Sequence, residues 1–210
     1  MEPYIKIENL SKKIKGITIL DNINIEFYKG KVYGIRGING SGKTMLFRAI
    51  CGLINPTKGE VTIDGKILHK DISFPESVGV LIETPGFLPS YTGRKNLKLL
   101  ADIKNIINYE KIDEALNLVG LDCNDNRQYK QYSLGMKQKL GIAQVLMEDP
   151  KLILLDEPTN ALDEKSVENI LSIIEKEKSK EKIILIASHD KLLLEKISDD
   201  IINIENGRII

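Results

Sequence analysis

Gly37-Ile38-Asn39-Gly40-Ser41-Gly42-Lys43-Thr44 is the stretch on which the reading of this chain turns. Strand-like residues precede it, and the residues from about Thr44 to Cys51 read as a helix that Gly52 can cap. Glycines let the backbone curl until successive N–H groups converge, and the positive end of a helix dipole adds to them. A phosphate is the group such a cradle suits. In this pattern Lys43 reaches the β- and γ-phosphates, and Thr44 offers its hydroxyl to Mg²⁺. A chance match in a chain of this size is on the order of one in a hundred. A glycine-rich turn without a ligand leaves the flanking strand and helix unexplained.

Downstream, Leu152-Ile153-Leu154-Leu155 is an uninterrupted apolar run that ends in two carboxylates, Asp156 and Glu157. Such a run is expected of a buried parallel strand, and ligands gather at the carboxyl ends of those strands. Asp156 is the candidate to support Mg²⁺, directly or through its water, and Glu157 the candidate to polarise an attacking water. A second buried run, Ile183 to Ala187, delivers Ser188-His189-Asp190. There His189 can meet a terminal phosphate or the water as a neutral imidazole. Tyr132-Ser133-Leu134-Gly135-Met136-Lys137-Gln138 leads into a helix that runs to Met147. Ser133 and Gly135 make either a second anion site or a simple N-cap, and the residues alone leave both open.

The remaining pattern is consistent with an α/β fold. Residues 4–10 and 17–36 read as strands, 59–68 as a short hairpin around Asp64-Gly65, and 92–120 as helical. A helix from Glu164 to about Lys178 separates the two buried runs, and that alternation indicates a parallel sheet. The mixed-charge run Glu175 to Lys182 reads as a solvated helix end. With 210 residues, 42% of them hydrophobic, one compact domain can bury a full core. Lys plus Arg and Asp plus Glu are both 30, which argues against a whole-surface basic field for nucleic acid. The apolar runs fall far short of the roughly 20 residues that span a bilayer. Met1 to Lys6 lacks the layout of a secretion signal, and Cys51 and Cys123 read as thiols in a reducing cytosol. The expectation is a cytoplasmic protein that meets a membrane only through a partner.

Together these motifs resemble the ATPases of ABC transporters across nearly the whole chain. The resemblance is carried by the phosphate loop, the Tyr132–Gln138 signature, and Asp156-Glu157 with Pro158-Thr159-Asn160-Ala161-Leu162-Asp163 after it. Ser188-His189 completes the set, and order and spacing match as well. The resemblance implies one ABC ATPase domain over 1–210: a P-loop core with a mainly parallel sheet, an antiparallel β lobe, and a helical lobe at about 84–138. It implies ATP and Mg²⁺ as ligands, with Gly37, Asn39, Gly40, Ser41, Gly42, Lys43, Thr44 and Met45 around the phosphates. It also implies a head-to-tail homodimer formed on ATP binding. Ser133 and Gly135 of one copy would then face the γ-phosphate held by Lys43 of the other. Glu157 would act as base, His189 would support the γ-phosphate, and Asp163 would lie in the loop that crosses the dimer. A separate transmembrane permease, no nucleic acid, and a place on the inner face of the cell membrane are implied as well.

Three positions depart from the family pattern. Ile14 stands where an aromatic ring usually stacks on adenine, and Met45 replaces a second hydroxyl after Thr44. Glu83 occupies the place of a metal-contacting Gln. With the Ser-Leu-Gly-Met-Lys-Gln signature, Glu83 resembles the exporter branch of bacitracin-resistance and lantibiotic self-protection transporters, which implies export of a peptide antibiotic, drug or lipid-like substrate. An importer ATPase is the alternative, although importers often carry a further C-terminal regulatory domain and this sequence ends soon after Glu205-Asn206-Gly207. Soluble members acting on ribosomes or DNA are similar to paired domains or carry a long coiled-coil insertion, and neither is present here.

Without a flat ring at position 14, GTP should compete with ATP within about an order of magnitude, and Ile14→Tyr should tighten ATP binding by up to the roughly 1–3 kcal/mol of base–aromatic stacking. Competition binding on both proteins checks this. Strong native selectivity for ATP with no gain on substitution would show that another residue covers the base.

Overall fold

Every residue of β7 (Leu152–Asp156) and β8 (Ile183–Ser188) is buried, as strands covered on both faces must be. In the computed structural model, which describes residues 2–210, they pair in parallel inside a six-stranded sheet. β3 (Lys31–Arg36), β6 (Val78–Leu81), β9 (Asp200–Glu205) and β10 (Arg208–Ile209) complete it. The order is β10-β9-β3-β8-β7-β6, parallel except for the β9–β10 hairpin. Beside it stands an antiparallel sheet in the order β2-β1-β4-β5, made of β1 (Ile5–Ile14), β2 (Ile17–Phe27), β4 (Lys58–Ile63) and β5 (Lys66–Ile67). Asp64 and Gly65 close the β4–β5 hairpin, both at positive φ (49° and 77°), the backbone that matches strand twist in a two-residue turn.

Side chains alternate along the central strands, so the parallel sheet divides the apolar core in two. Leu152, Leu154, Ile183, Leu185 and Ala187 pack with Phe47 and Ile50 of α1 (Lys43–Ile50) and with Ile5, Ile7 and Phe27 of the antiparallel sheet. Ile153, Leu155, Ile184 and Ile186 belong to the other cluster. There they join Leu97 of α2 (Gly93–Lys104), Ile112 and Leu116 of α3 (Tyr109–Leu118) and Leu140 of α4 (Leu134–Leu146). Ile170 and Ile174 of α5 (Glu164–Lys178) and Leu194 of α6 (Lys191–Ile197) close that side. The α4 helix lies so close to β6 that a Cβ on Gly79 would sit 2.3 Å from the Val145 carbonyl oxygen.

The helical stretch expected at 92–120 resolves into two helices. Asn105 ends α2 with a left-handed backbone (φ 53°), and the Asn108 side chain caps α3. The elements β6, β9, β10 and α6 were not anticipated. β6 is four residues with a glycine inside, too short to show a period, and α6 is a two-turn helix capped by the Asp190 side chain.

The charged run at 175–182 corrects the expectation of a wholly solvated helix end. Glu177 and Lys182 are buried and bonded to each other, and Lys182 Nζ also donates to Asp149 Oδ1 at 2.5 Å. Removing Lys182 leaves the buried Glu177 with only the half-exposed Lys180, whose Nζ donates to Glu177 Oε1 at 2.7 Å. Lys182→Ala should therefore cost about 2–4 kcal/mol in urea unfolding, short of the loss for a charge left wholly unpaired. Lys180→Ala, whose side chain is 53% exposed, should cost no more than about 1 kcal/mol. Equal small losses would mean that Glu177 finds water when Lys182 is gone.

Candidate functional site

The loop between β3 and α1 has the backbone a phosphate cradle needs. Gly40 and Gly42 take φ values of 81° and 113°, which side chains of other residues rarely allow. Gly42 is the N-cap of α1 and brings no capping side chain, so the first N–H groups of the helix are left to other acceptors. A Cβ on Gly37 would lie 2.4 Å from both Ser41 Oγ and the Ile204 carbonyl oxygen. Ser41 Oγ is buried with no hydrogen-bond partner in the chain, an orphaned donor within the cradle. Lys43 is buried, and its Nζ donates to the carbonyls of Gly37 (2.6 Å) and Ile38 (3.2 Å). The donor set fits an anion.

A cavity of about 630 Å³ opens on this loop. It is lined by Ile19, Asn39, Gly40, Gly42, Lys43, Thr44 and Met45 together with Glu83, Thr84, Gln138, Asp156, Glu157 and Asn160. Thr44 Oγ1 donates to Asp156 Oδ2 at 2.6 Å, joining the start of α1 to the end of β7. Burial pushes the Asp156 carboxyl above its ordinary value; the Thr44 hydrogen bond opposes this, and the neighbouring Glu157 and Glu83 charges add to it. Glu157 stands just past β7 with φ 49°, and its Oε1 lies 3.9 Å from Lys43 Nζ.

The end of β8 closes around Glu157. His189 N–H donates to Glu157 Oε1 at 3.0 Å, His189 Nδ1 lies 2.8 Å from the same oxygen, and Ser188 Oγ donates to Oε2 at 3.1 Å. From α4, Gln138 Nε2 donates to the Glu157 carbonyl at 3.1 Å. The His189 ring thus sits on Glu157 rather than on the cavity wall, and with Ile38 and Arg36 it lines a neighbouring cleft of about 400 Å³.

Oxygen donors suited to a hard divalent cation are present in Thr44 and Asp156, with Glu83 also lining the cavity. Among the described residues no group of three or more His, Cys, Asp or Glu could hold a metal alone. Phosphate oxygens would have to complete the shell. Glu83 is not directed to Asp156: its Oε1 accepts from Arg48 Nη2 at 2.8 Å.

Other expected residues lie apart from the cavity in the single chain. Ser133 Oγ caps α4 by accepting from Met136 N–H at 3.2 Å, the simple N-cap of the two readings. Asp163 Oδ1 caps α5 by accepting from Ser166 N–H at 2.8 Å, and a Cβ on Gly135 would lie 2.8 Å from the Ala161 carbonyl oxygen. Ile14 is 42% exposed at the tip of the β1–β2 hairpin, opposite Ile17, and it is Ile19 that lines the cavity. Strand alternation puts Ile17 and Ile19 on one face. Gln138 and Ser188 were inside quoted motifs but carried no role there. Arg48 has a signal only in helical spacing, one turn beyond Thr44.

With this geometry in place, the comparisons with known proteins agree. A family profile described as ABC transporter matches residues 20–160. An uncharacterized ABC transporter ATP-binding protein of Bacillus subtilis (strain 168) is 48% identical over 205 residues, covering 98% of this chain and 94% of that protein. A bacitracin transport ATP-binding protein of Enterococcus faecalis is 38% identical over all of this chain and 69% of its own length. A lantibiotic transport ATP-binding protein of Streptococcus pyogenes is 39% identical, over 98% of this chain and 89% of its own. Among solved structures, a dimeric ATP-binding cassette in a post-hydrolysis state with ADP and Pi superposes with a TM-score of 0.88 at 26% identity, covering 98% of this chain and 96% of that one.

The buried Asp156 carboxylate carries a stability cost with a defined sign. Its folded value lies above its unfolded one, so the ionised form disfavours folding at neutral pH, and acidification through that interval relieves the penalty. Asp156→Asn should raise the melting temperature of the nucleotide-free protein at pH 7 by about 2–4 °C, equivalent to roughly 1 kcal/mol at this chain length. The gain should vanish at a pH below the ordinary carboxylate range. A lower melting temperature at pH 7 would show that the Thr44 hydrogen bond outweighs desolvation.

Proposed function

This chain belongs to the ABC transporter family, and from that premise we propose that it binds and hydrolyses ATP to drive export through a separate transmembrane permease. The observation that carries the reading is the convergence of five segments on one cavity, with Thr44 bonded to Asp156 at 2.6 Å and Lys43 beside Glu157 at 3.9 Å. The loop from Gly37 through Asn39, Gly40, Ser41 and Gly42 to Thr44 and Met45 binds the phosphates, and Lys43 neutralises the β and γ groups. The Thr44 hydroxyl and the Asp156 carboxylate, with Glu83, would hold Mg²⁺; when bound, the ion supplies positive charge to the phosphate oxygens.

Glu157 is the residue placed to take a proton from the attacking water, since its carboxylate lies at the end of a buried strand within the cavity wall. In this structure its Oε1 is paired with His189 Nδ1 at 2.8 Å. Support of the γ-phosphate by His189 requires the ring to leave that oxygen, which at the same time frees the base. Ser133, Gly135 and Asp163 do not line the cavity of their own chain, in keeping with a role at the site of a second copy in a homodimer. The 1–210 span then acts as one ATPase domain whose helical part, about 84–138, faces the permease.

Export of a peptide antibiotic, drug or lipid-like compound is favoured over import by the relatives named for bacitracin and lantibiotic transport. No helix among the described residues is long and apolar enough to cross a membrane, and in this proposal the partner supplies the span. The chain then works in the cytoplasm, peripheral to the inner face of the membrane, and not on nucleic acid.

Glu157→Gln keeps the shape of the side chain and removes its basicity. Hydrolysis should fall by about 10²-fold or more while Mg-ATP binding persists. In gel filtration the variant should run as a dimer with ATP and as a monomer without it. Normal turnover would remove Glu157 from the role of base, and a size indifferent to ATP would count against the shared site.

A further inference from the structure

One charged side chain beside the cavity has no part in the reading above. Arg48 lies four residues after Thr44 on α1, therefore on the same helical face, and helical side chains lean toward the N-terminus of their helix. That lean carries its guanidinium back toward the cavity. Nη2 donates to Glu83 Oε1 at 2.8 Å, and Nη1 lies 3.9 Å from Sδ of Met45, a cavity-lining residue. Glu83 sits two residues beyond β6 with φ 58°, a left-handed backbone that a non-glycine residue holds only at some cost. Three carboxylates, Asp156, Glu157 and Glu83, line the cavity against the single ammonium of Lys43. Arg48 is the cation that balances the third.

We propose that Arg48 is a positioning residue: it holds Glu83 when no metal ion competes for the carboxylate, and Glu83 would leave it for the metal ion that accompanies nucleotide, so the pair sets how much metal the site demands. The proposal rests on the ATPase reading and on Glu83 as an oxygen donor. The Glu83 side chain is 63% exposed, and pairs this open to water are weak and screened by salt. A hard divalent cation prefers an ionised oxygen, so it can win the carboxylate from a guanidinium. The pair also bridges two separate elements, α1 and the segment between β6 and α2. Tyr129 O–H donates to the Pro85 carbonyl at 2.9 Å, which ties that segment to the helical side of the molecule. Exchange of the Glu83 partner is thus coupled to where the segment rests.

The test is a double-mutant cycle on Arg48→Gln and Glu83→Gln with two readouts. One is Mn²⁺ binding to the protein–ADP complex, followed by electron paramagnetic resonance; the other is the Mg²⁺ midpoint of ATP hydrolysis. Arg48→Gln should tighten Mn²⁺ binding and lower the Mg²⁺ midpoint by roughly three- to fivefold, the range an exposed pair supports. The kcat at saturating Mg²⁺ should change little. In the Glu83→Gln background the same substitution should shift either midpoint by less than about twofold, because the coupling partner is gone. Arg48→Lys should retain most of the native midpoint, and it carries the cycle if the Gln variant fails to fold. Shifts of equal size in both backgrounds, or none in either, would overturn the proposal. Absence of Mg²⁺-dependent hydrolysis in the native protein would instead sink the ATPase reading itself, so the two failures are separable.

Discussion

The hydrogen bond from Thr44 Oγ1 to Asp156 Oδ2 spans 112 residues of sequence, and the rest of the site is arranged around it. Thr44 follows β3 and Asp156 ends β7, yet the two strands are not neighbours, because β8 lies between them. The bond therefore passes over the carboxyl end of β8, where Ser188 and His189 stand. One parallel sheet thus places the phosphate loop, the imidazole and the paired carboxylates at successive strand ends, with Glu83 just beyond the end of β6. A strand order of that kind puts ligands at the carboxyl edge. It also makes the site a long-range product of the fold, in which no single segment holds the geometry alone.

That arrangement costs stability locally. Glu83 and Glu157 both take left-handed backbones just after adjacent parallel strands, and Asp156 is a buried carboxylate raised by desolvation. Residues in such conformations persist only when their surroundings over-determine them. Here the surroundings are β7 and β8, buried throughout, with apolar clusters on both faces. The Glu157 backbone N–H donates to the Ala187 carbonyl at 2.8 Å, so the strained residue is fixed to the neighbouring strand. The strain falls where the chemistry is expected and the packing that opposes it lies in the sheet.

Much of this was legible in the sequence because the signals were local. A glycine-rich loop between strand and helix, and carboxylates ending an apolar run, each carry their physics within about ten residues. What was not legible depends on contacts between distant segments. The Glu175–Lys182 run looks solvated from its composition, yet Lys182 reaches Asp149, 33 residues away, and is buried with Glu177. Ile14 stands opposite Ile17 at the tip of the β1–β2 hairpin while Ile19 lines the cavity, a placement set by strand pairing that a local motif does not carry. Arg48 looked like an ordinary helix residue until Glu83 was brought beside it from 35 positions downstream.

The segment from Glu83 to Thr92 is where the site and the helical part of the molecule meet. Asn96 is buried and holds it from α2: its Oδ1 accepts from Leu88 N–H at 2.8 Å, and its Nδ2 donates to the carbonyls of Leu88 and Thr92 at 3.1 and 3.0 Å. Pro85 packs so closely on α4 that a Cβ on Gly141 would lie 2.6 Å from its Cγ. The Phe87 ring meets Tyr129 edge to face at 5.3 Å between centroids. On the helical side the segment is therefore bound by several buried contacts. Its attachment on the core side includes the exposed ion pair of Glu83 with Arg48. If Glu83 changes partner as proposed, a change in charge at the phosphates would act on that weaker attachment, since buried packing does not respond to charge in the same way. Any displacement of the segment would then carry α2 with it, because Asn96 joins the two.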